Sequence, residues 1–392
     1  MMYVYTGLRE ELRMLKKFTV SNYRSFENPI TLDLTNVRDY DFNEECIKDG
    51  LINKAVIYGE NAVGKTNLGQ AIFDVNTMVQ GGFSSEFSLN LNRAGFLNAN
   101  SSKKVAKFNY LFQIDKDEIE YTYEKYSINE IHYESLKINQ ELFYELDFST
   151  GLGDFSSFQK HIELSLLNLD RWNNDTSVLR YVLSNTKLGN DSILKKLGKF
   201  IKGIFNLQAV FGTKESINFI AEMFTKVIIE EDRLYDFERF LSKAGIEVRL
   251  KIATTLEGEK KIYFDYKKKS LKFVDYASSG TLSLVPLYCL EKGLIEDLTF
   301  IYIDEFDANF HFAVAKLMLE GFKQKPDCQT VITTHNTDLM SNKYLRPDCY
   351  LLMTPSKIIN LADATRRKLS MGHSLENLYQ SGGFNEFGVD DE

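Results

Sequence analysis

The spacing of hydrophobic and polar residues changes several times along the chain, and each change predicts an element. LKKFTVSNYRSFENPITLDL, from Leu15 to Leu34, alternates and predicts two strands joined by a polar turn around Asn28 and Pro29. Asn36 to Gly50 is acidic and loop-like. Ala55 to Tyr58 is a short apolar run, read as a buried strand, and the helix-compatible NLGQAIFDV begins at Asn67. From Lys103 to Leu146, runs such as VAKFNYLFQI, IEYTYEKYSI and HYESLKI alternate again, predicting an antiparallel meander beside a core sheet. DFSTGLGDFSS, from Asp147 to Ser157, is small and polar and reads as a boundary. From Ile162 to Leu241 apolar residues recur every three or four positions, as in SILKKLGKFIKGIF and ESINFIAEMFTKVI, predicting several amphipathic helices. The heptads do not persist long enough for a coiled coil. Strand patterns return at Ile246 to Ile252 and Ile262 to Tyr266, and then as apolar runs at Phe300 to Ile303 and Val331 to Thr334.

These periods predict an α/β protein. Residues 14–155 form an N-terminal lobe, 156–245 an inserted helical lobe, 246–380 a C-terminal lobe and 381–392 an acidic, mobile tail. Residues 1–13 read either as a short appendage or as an upstream start.

Composition narrows the function classes. The 392 residues are 44% hydrophobic and 26% charged, as expected of a globular protein with real cores. A net charge of -8 argues against a surface devoted to coating nucleic acid, while leaving a local basic groove open. No apolar run is long enough to cross a bilayer, and the opening MMYVYTGLREELR lacks the pattern of a signal peptide. Cys46, Cys289, Cys328 and Cys349 are scattered, which fits neither a disulfide framework nor a zinc site. The expected location is the cytoplasm, with no membrane partner.

The chemistry starts at Gly59. Gly59-Glu60-Asn61-Ala62-Val63-Gly64-Lys65-Thr66 fits G-x-x-x-x-G-K-[ST] at every fixed position, between a predicted strand and a predicted helix. Glycines let successive N–H groups face one concavity, and the helix start adds its positive dipole end. Lys65 would reach the β- and γ-phosphates of ATP, and the Thr66 hydroxyl would ligate Mg²⁺, with Asn61 and Asn67 in the same nucleotide-binding segment. At Asp304-Glu305 an apolar strand ends in two carboxylates, the first placed to hold the Mg²⁺ shell and the second to act as general base on water. His335 ends another buried strand, and parallel strands deliver their C-terminal residues to one crevice. Ala277-Ser278-Ser279-Gly280-Thr281 precedes an apolar helix and reads either as a second anion site or as a plain Ser N-cap.

Together these residues resemble the ATP-binding-cassette (ABC) class of P-loop ATPases, in its RecF/SMC/OLD-like branch. The class order of Walker A, signature, Walker B and histidine switch runs here as Lys65, Ser278, Glu305 and His335. Ser278 and Gly280 match the serine and second glycine of an LSGGQ-type signature, whereas Ser279 and Thr281 depart from it. VSNYRSF resembles the N-terminal strand of that branch, which implies that Arg24 sits near the nucleotide. Gln113 is the candidate for the class's metal-linked Q-loop glutamine. The resemblance implies an ABC-type ATPase head, with catalytic Glu305, His335 and Lys65 and a metal set of Thr66, Asp304 and Gln113. It also implies that ATP is sandwiched between two copies of the chain, each signature completing the other copy's site.

RRKLSMGHSLENLYQSGGFNEF resembles the end of small ATPases of bacterial abortive-infection operons. The leading expectation is therefore an ATPase sensor or scaffold that restrains or delivers a separately encoded toxic effector, such as a nuclease, during phage infection. The alternative is a RecF-like DNA-repair ATPase, with Lys267-Lys268-Lys269 and Arg366-Arg367-Lys368 as its nucleic-acid contacts. A transporter motor is disfavoured by the signature and the tail.

Overall fold

The computed structural model describes residues 12–81, 95–158, 173–207, 214–306 and 312–384. Residues 1–11, residues 385–392 of the tail and the start of the helical stretch through residue 172 lie outside the described residues. In chain order the strands are β1 (Arg13–Ser21), β2 (Ile30–Asp33), β3 (Ile47–Lys48), β4 (Leu51–Ile52), β5 (Lys54–Tyr58) and β6 (Ala106–Ile114). There follow β7 (Asp117–Ser127), β8 (Glu130–Ile138), β9 (Glu141–Asp147), β10 (Leu152–Asp154), β11 (Ile204–Asn206) and β12 (Leu250–Thr254). The last are β13 (Lys260–Asp265), β14 (Ser270–Lys272), β15 (Phe300–Ile303), β16 (Gln329–Thr334), β17 (Tyr350–Met353) and β18 (Ile358–Asn360).

The central sheet has the order β11-β15-β16-β5-β17-β18 and is parallel except at β18. Burial on both faces explains why its strands read as unbroken apolar runs rather than alternations. Every residue of β5 is buried, Lys54 included. The Lys54 ammonium donates to the carbonyls of Lys325 and Cys328, and burial pushes its pKa down to about 8.

The second sheet, order β10-β9-β8-β7-β6-β1-β2, is antiparallel throughout and alternates buried and open positions as its sequence does. Its aromatic face grips the helix Lys65–Gln80. The Tyr110 hydroxyl donates to the Ala71 carbonyl at 2.7 Å, the Tyr123 hydroxyl to Asp74 at 2.9 Å, and the buried Lys125 ammonium lies 2.8 Å from the same carboxylate. The opposite side of the helix meets the central sheet, where Gly69 lies against the Tyr302 ring so closely that a Cβ would come within 2.4 Å of it. Among the described residues no helix is long and apolar enough to cross a membrane.

One buried charge ties the antiparallel sheet to the helical stretch. The Glu134 carboxylate accepts from the Tyr121 and Tyr144 hydroxyls and from the Val178 and Leu179 N–H groups at the start of the helix Val178–Asn185. Burial raises its pKa, while these donors favour the charged form. Glu134→Ala strands two hydroxyls and two helix N–H groups, so a loss of about 3–5 kcal/mol is expected, read as a lower urea midpoint.

Several elements differ from the sequence expectations. The stretch 156–245 has the helices Val178–Asn185, Ile193–Lys202, Lys214–Glu230 and Leu234–Lys243, yet it also supplies β11, the edge strand of the central sheet beside β15. The polar segment Asp147 to Ser157 contains β10, paired with β9. The tail does not begin as a free end, because Phe384 is 2% exposed.

Candidate functional site

Strands β5, β15 and β16 end at one edge of the central sheet. Their register pairs Thr334 with Tyr58 and Ile303 with Ile332, so Gly59, Asp304 and His335, which follow them, share that edge.

The loop after β5 is shaped by what surrounds its glycines. At Gly59 a Cβ would lie 2.7 Å from the Met353 carbonyl oxygen, and at Gly64, with φ +106°, it would lie 2.6 Å from the Phe26 ring. Gly64 caps the helix Lys65–Gln80 with no side-chain acceptor, which leaves its first N–H groups facing the loop. Lys65 is 5% exposed, and its ammonium donates to the carbonyls of Gly59 and Glu60, both at 2.9 Å. Burial lowers its pKa, opposed by the carboxylates of Asp304 and Glu305. The Tyr302 hydroxyl donates to the Lys65 carbonyl at 2.6 Å and fixes the first turn against the sheet.

The acidic half of the site is bonded directly to this loop. The Thr66 hydroxyl donates to Asp304 Oδ2 at 2.5 Å, and the buried Thr333 hydroxyl donates to Asp304 Oδ1 at the same distance. Thr333 Oγ1 also accepts the Glu305 N–H at 2.8 Å. Burial raises the Asp304 pKa, although both threonine bonds favour its carboxylate. Glu305 sits in the left-handed region at φ +43°, a strained backbone for a side chain with a Cβ. Its side chain is half-exposed, and Oε1 lies 3.6 Å from His335 Nε2. The residues therefore fit a magnesium nucleotide, because Thr66 and Asp304 place two hard oxygens at the mouth of an N–H-lined loop. Mg²⁺ takes few protein oxygens and completes its shell with phosphate and water.

The remaining sequence candidates fall in three places. Arg24, at φ +49°, lies beside the loop: its guanidinium donates to the Gln70 side chain and sits 5.4 Å over the Tyr23 ring. Asn67 donates to Ser25 Oγ at 2.7 Å, and Asn61 is exposed on the loop itself. Ser278 and Gly280 lie at the start of the helix Ser279–Lys292, where Ser278 Oγ accepts the Thr281 N–H at 3.1 Å as an N-cap. Among the described residues no hydrogen bond joins Ser278–Gly280 to Gly59–Thr66 of the same chain.

Gln113 is a correction. It pairs with Met14 at the start of β1, whereas the loop meets Ser25 and Phe26, beyond the other end of that strand. The separation is roughly 20 Å of strand, and the Gln113 amide is spent on the Asp115 and Asp117 carbonyls of its own hairpin. Gln113 is no part of the metal set.

The sequence reading missed Thr333, Tyr302 and the Ser25–Phe26 turn. The signals were present in part: three threonines in a fully buried strand, and a glycine inside a helix.

The chain is similar to solved SMC head structures. One is described as the SMC head bound to the C-winged helix domain of ScpA, with 16% identity, 89% of this chain and 98% of that one covered, and a TM-score of 0.47. A second is the SMC head domain from Thermotoga maritima, with 17% identity, 88% and 98% covered, and a TM-score of 0.41. A third is an SMC head with an extended coiled coil bound to the C-terminal domain of ScpA derived from Pyrococcus furiosus, with 15% identity, 90% and 98% covered, and a TM-score of 0.46. The chain matches none of the curated proteins it was compared with. Residues 54–341, which run from β5 to just past His335, match the family described as "AAA domain, putative AbiEii toxin, Type IV TA system". With most of its length inside that match, and with the glycine loop and both carboxylates within it, the chain belongs to this AAA family of P-loop ATPase domains.

Proposed function

We propose that the chain hydrolyses ATP between two copies of itself and uses that cycle to control a separately encoded effector in bacterial anti-phage defence. The observation that carries the ATPase reading is the bonded path from Thr66 through Asp304 and Thr333 to Glu305, at the mouth of the glycine loop. In this reading the loop N–H groups and Lys65 hold the β- and γ-phosphates. Mg²⁺, held by Thr66 and Asp304, neutralises charge on those phosphates when bound. Glu305 takes the proton of the attacking water, with His335 beside it at the γ-phosphate. Ser278 and Gly280 act from the second copy, which is consistent with there being no hydrogen bond, among the described residues, between them and their own chain's loop. The abortive-infection role is supported by the family's description and by the closing sequence RRKLSMGHSLENLYQ.

Subunit complementation tests the shared site. Lys65→Ala and Ser278→Arg chains should each be inactive alone. Mixed in equal amounts they should recover about a quarter of wild-type turnover, because half of the dimers are mixed and each of these keeps one intact site. No recovery on mixing, with both variants folded, refutes the shared site.

A further inference from the structure

We infer that Thr333 is a positioning residue for hydrolysis, a strut that sets the bend carrying both carboxylates. The inference rests on the ATPase reading above and goes beyond it, because Thr333 belongs to neither the glycine loop nor the acidic pair. It is fully buried in β16, and it engages three consecutive residues of the neighbouring chain segment. Its hydroxyl donates to Asp304 Oδ1 at 2.5 Å and accepts the Glu305 N–H at 2.8 Å, and its carbonyl accepts the Phe306 N–H at 3.3 Å.

The bend needs such a support. Glu305 adopts φ +43°, a conformation that persists in a residue with a Cβ only where the surroundings over-determine it. Without an acceptor the Glu305 N–H has no partner in the sheet edge, and the side chain loses its fixed aim at the mouth of the loop. A threonine hydroxyl donates and accepts at once, so one side chain fixes both the Asp304 carboxylate and the Glu305 backbone. Two residues on, just past the end of the strand, is His335, so the strut also ties the acid pair to the segment that carries the histidine. The other threonine hydroxyls of β16 are turned to different work: Thr334 Oγ1 accepts the Asn336 N–H at 2.9 Å, and Thr330 Oγ1 donates to the Cys328 carbonyl at 3.1 Å.

This difference supplies the control. Valine keeps the shape of threonine and loses its hydrogen bonds, serine keeps the hydroxyl, and Thr330→Val makes the same change in the same strand, away from the site. Full-length chains carrying Thr333→Val, Thr333→Ser or Thr330→Val are compared with wild type in ATP turnover against Mg²⁺ concentration. The thermal shift that Mg²⁺ adds to the chain already saturated with a slowly hydrolysed ATP analogue is measured alongside. Thr333→Val should lower kcat about 100-fold and raise the half-saturating Mg²⁺ about tenfold, with nucleotide affinity within about threefold of wild type. The extra Mg²⁺-dependent shift should be lost. Thr333→Ser should restore kcat to within about fivefold, and Thr330→Val should match wild type in turnover. A Thr333→Val chain with kcat within threefold of an active wild type overturns the inference, and so does an equal loss in Thr330→Val. A wild-type chain with no turnover at all instead refutes the ATPase reading, and the strut falls with it.

Discussion

Lys65→Ala is expected to abolish ATP turnover, with a fall of about 10³-fold or more, and to weaken nucleotide binding by about 2–3 kcal/mol. The ammonium is the one positive charge that the glycine loop brings to the sheet edge, where Asp304 and Glu305 lie close enough to oppose the drop in its pKa. It already rests on the carbonyls of Gly59 and Glu60, so its side chain is held over the concavity before any phosphate arrives. Pre-placement of this kind is what turns a hydrogen bond to phosphate into transition-state stabilisation, since no reorganisation is needed as charge moves to the leaving oxygen. The loss should be functional rather than structural. Lys65 is the first residue of its helix, alanine is the best helix former, and the Tyr302 hydroxyl bonds the residue's backbone carbonyl, which the substitution leaves in place. Turnover and fluorescent-nucleotide binding, with the urea midpoint as control, separate the two. Turnover within tenfold of wild type at an unchanged midpoint would remove the loop from the mechanism.

Much of this site was legible because each member carries its own local mark. Lys65 and Thr66 come with fixed spacing, Asp304 and Glu305 end a short run of buried apolar residues, and His335 ends another. Parallel pairing of such runs brings their ends together, so the sequence of strand ends sufficed to place Asp304 and His335 beside the loop. What failed depended on direction or register. A glutamine closing an alternating strand looks the same at either pole of an antiparallel sheet, and Gln113 proved to be at the far one. The role of Thr333 exists only in the pairing of β16 with β15, which no spacing within one strand reveals. Strand β11 is three residues long and follows directly on the helix Ile193–Lys202, so the helical period of KKLGKFIKGIF ran through it. Strand β17 is marked only by the four-residue, mostly buried run Tyr350–Met353 after Pro347.

Glu305→Gln should separate binding from hydrolysis. The amide has the size and shape of the carboxylate and can follow the same φ +43° backbone, with its N–H still on Thr333, but it cannot take a proton from water. The loop, Lys65, Thr66 and Asp304 are untouched, so ATP and Mg²⁺ should bind as in wild type while hydrolysis falls about 10²–10⁴-fold. In the proposed sandwich the γ-phosphate is a ligand that only the closed pair contacts from both sides, so it shifts the equilibrium by its differential affinity for that state. Hydrolysis normally ends this bias, and blocking it should let the pair accumulate. Light scattering should then read twice the 45.2 kDa of one chain with ATP and Mg²⁺, and one chain's mass with ADP. A Glu305→Gln chain that binds ATP yet stays monomeric would leave the glycine loop and the acidic pair in place, and would refute the claim that Ser278 reaches across to a second copy.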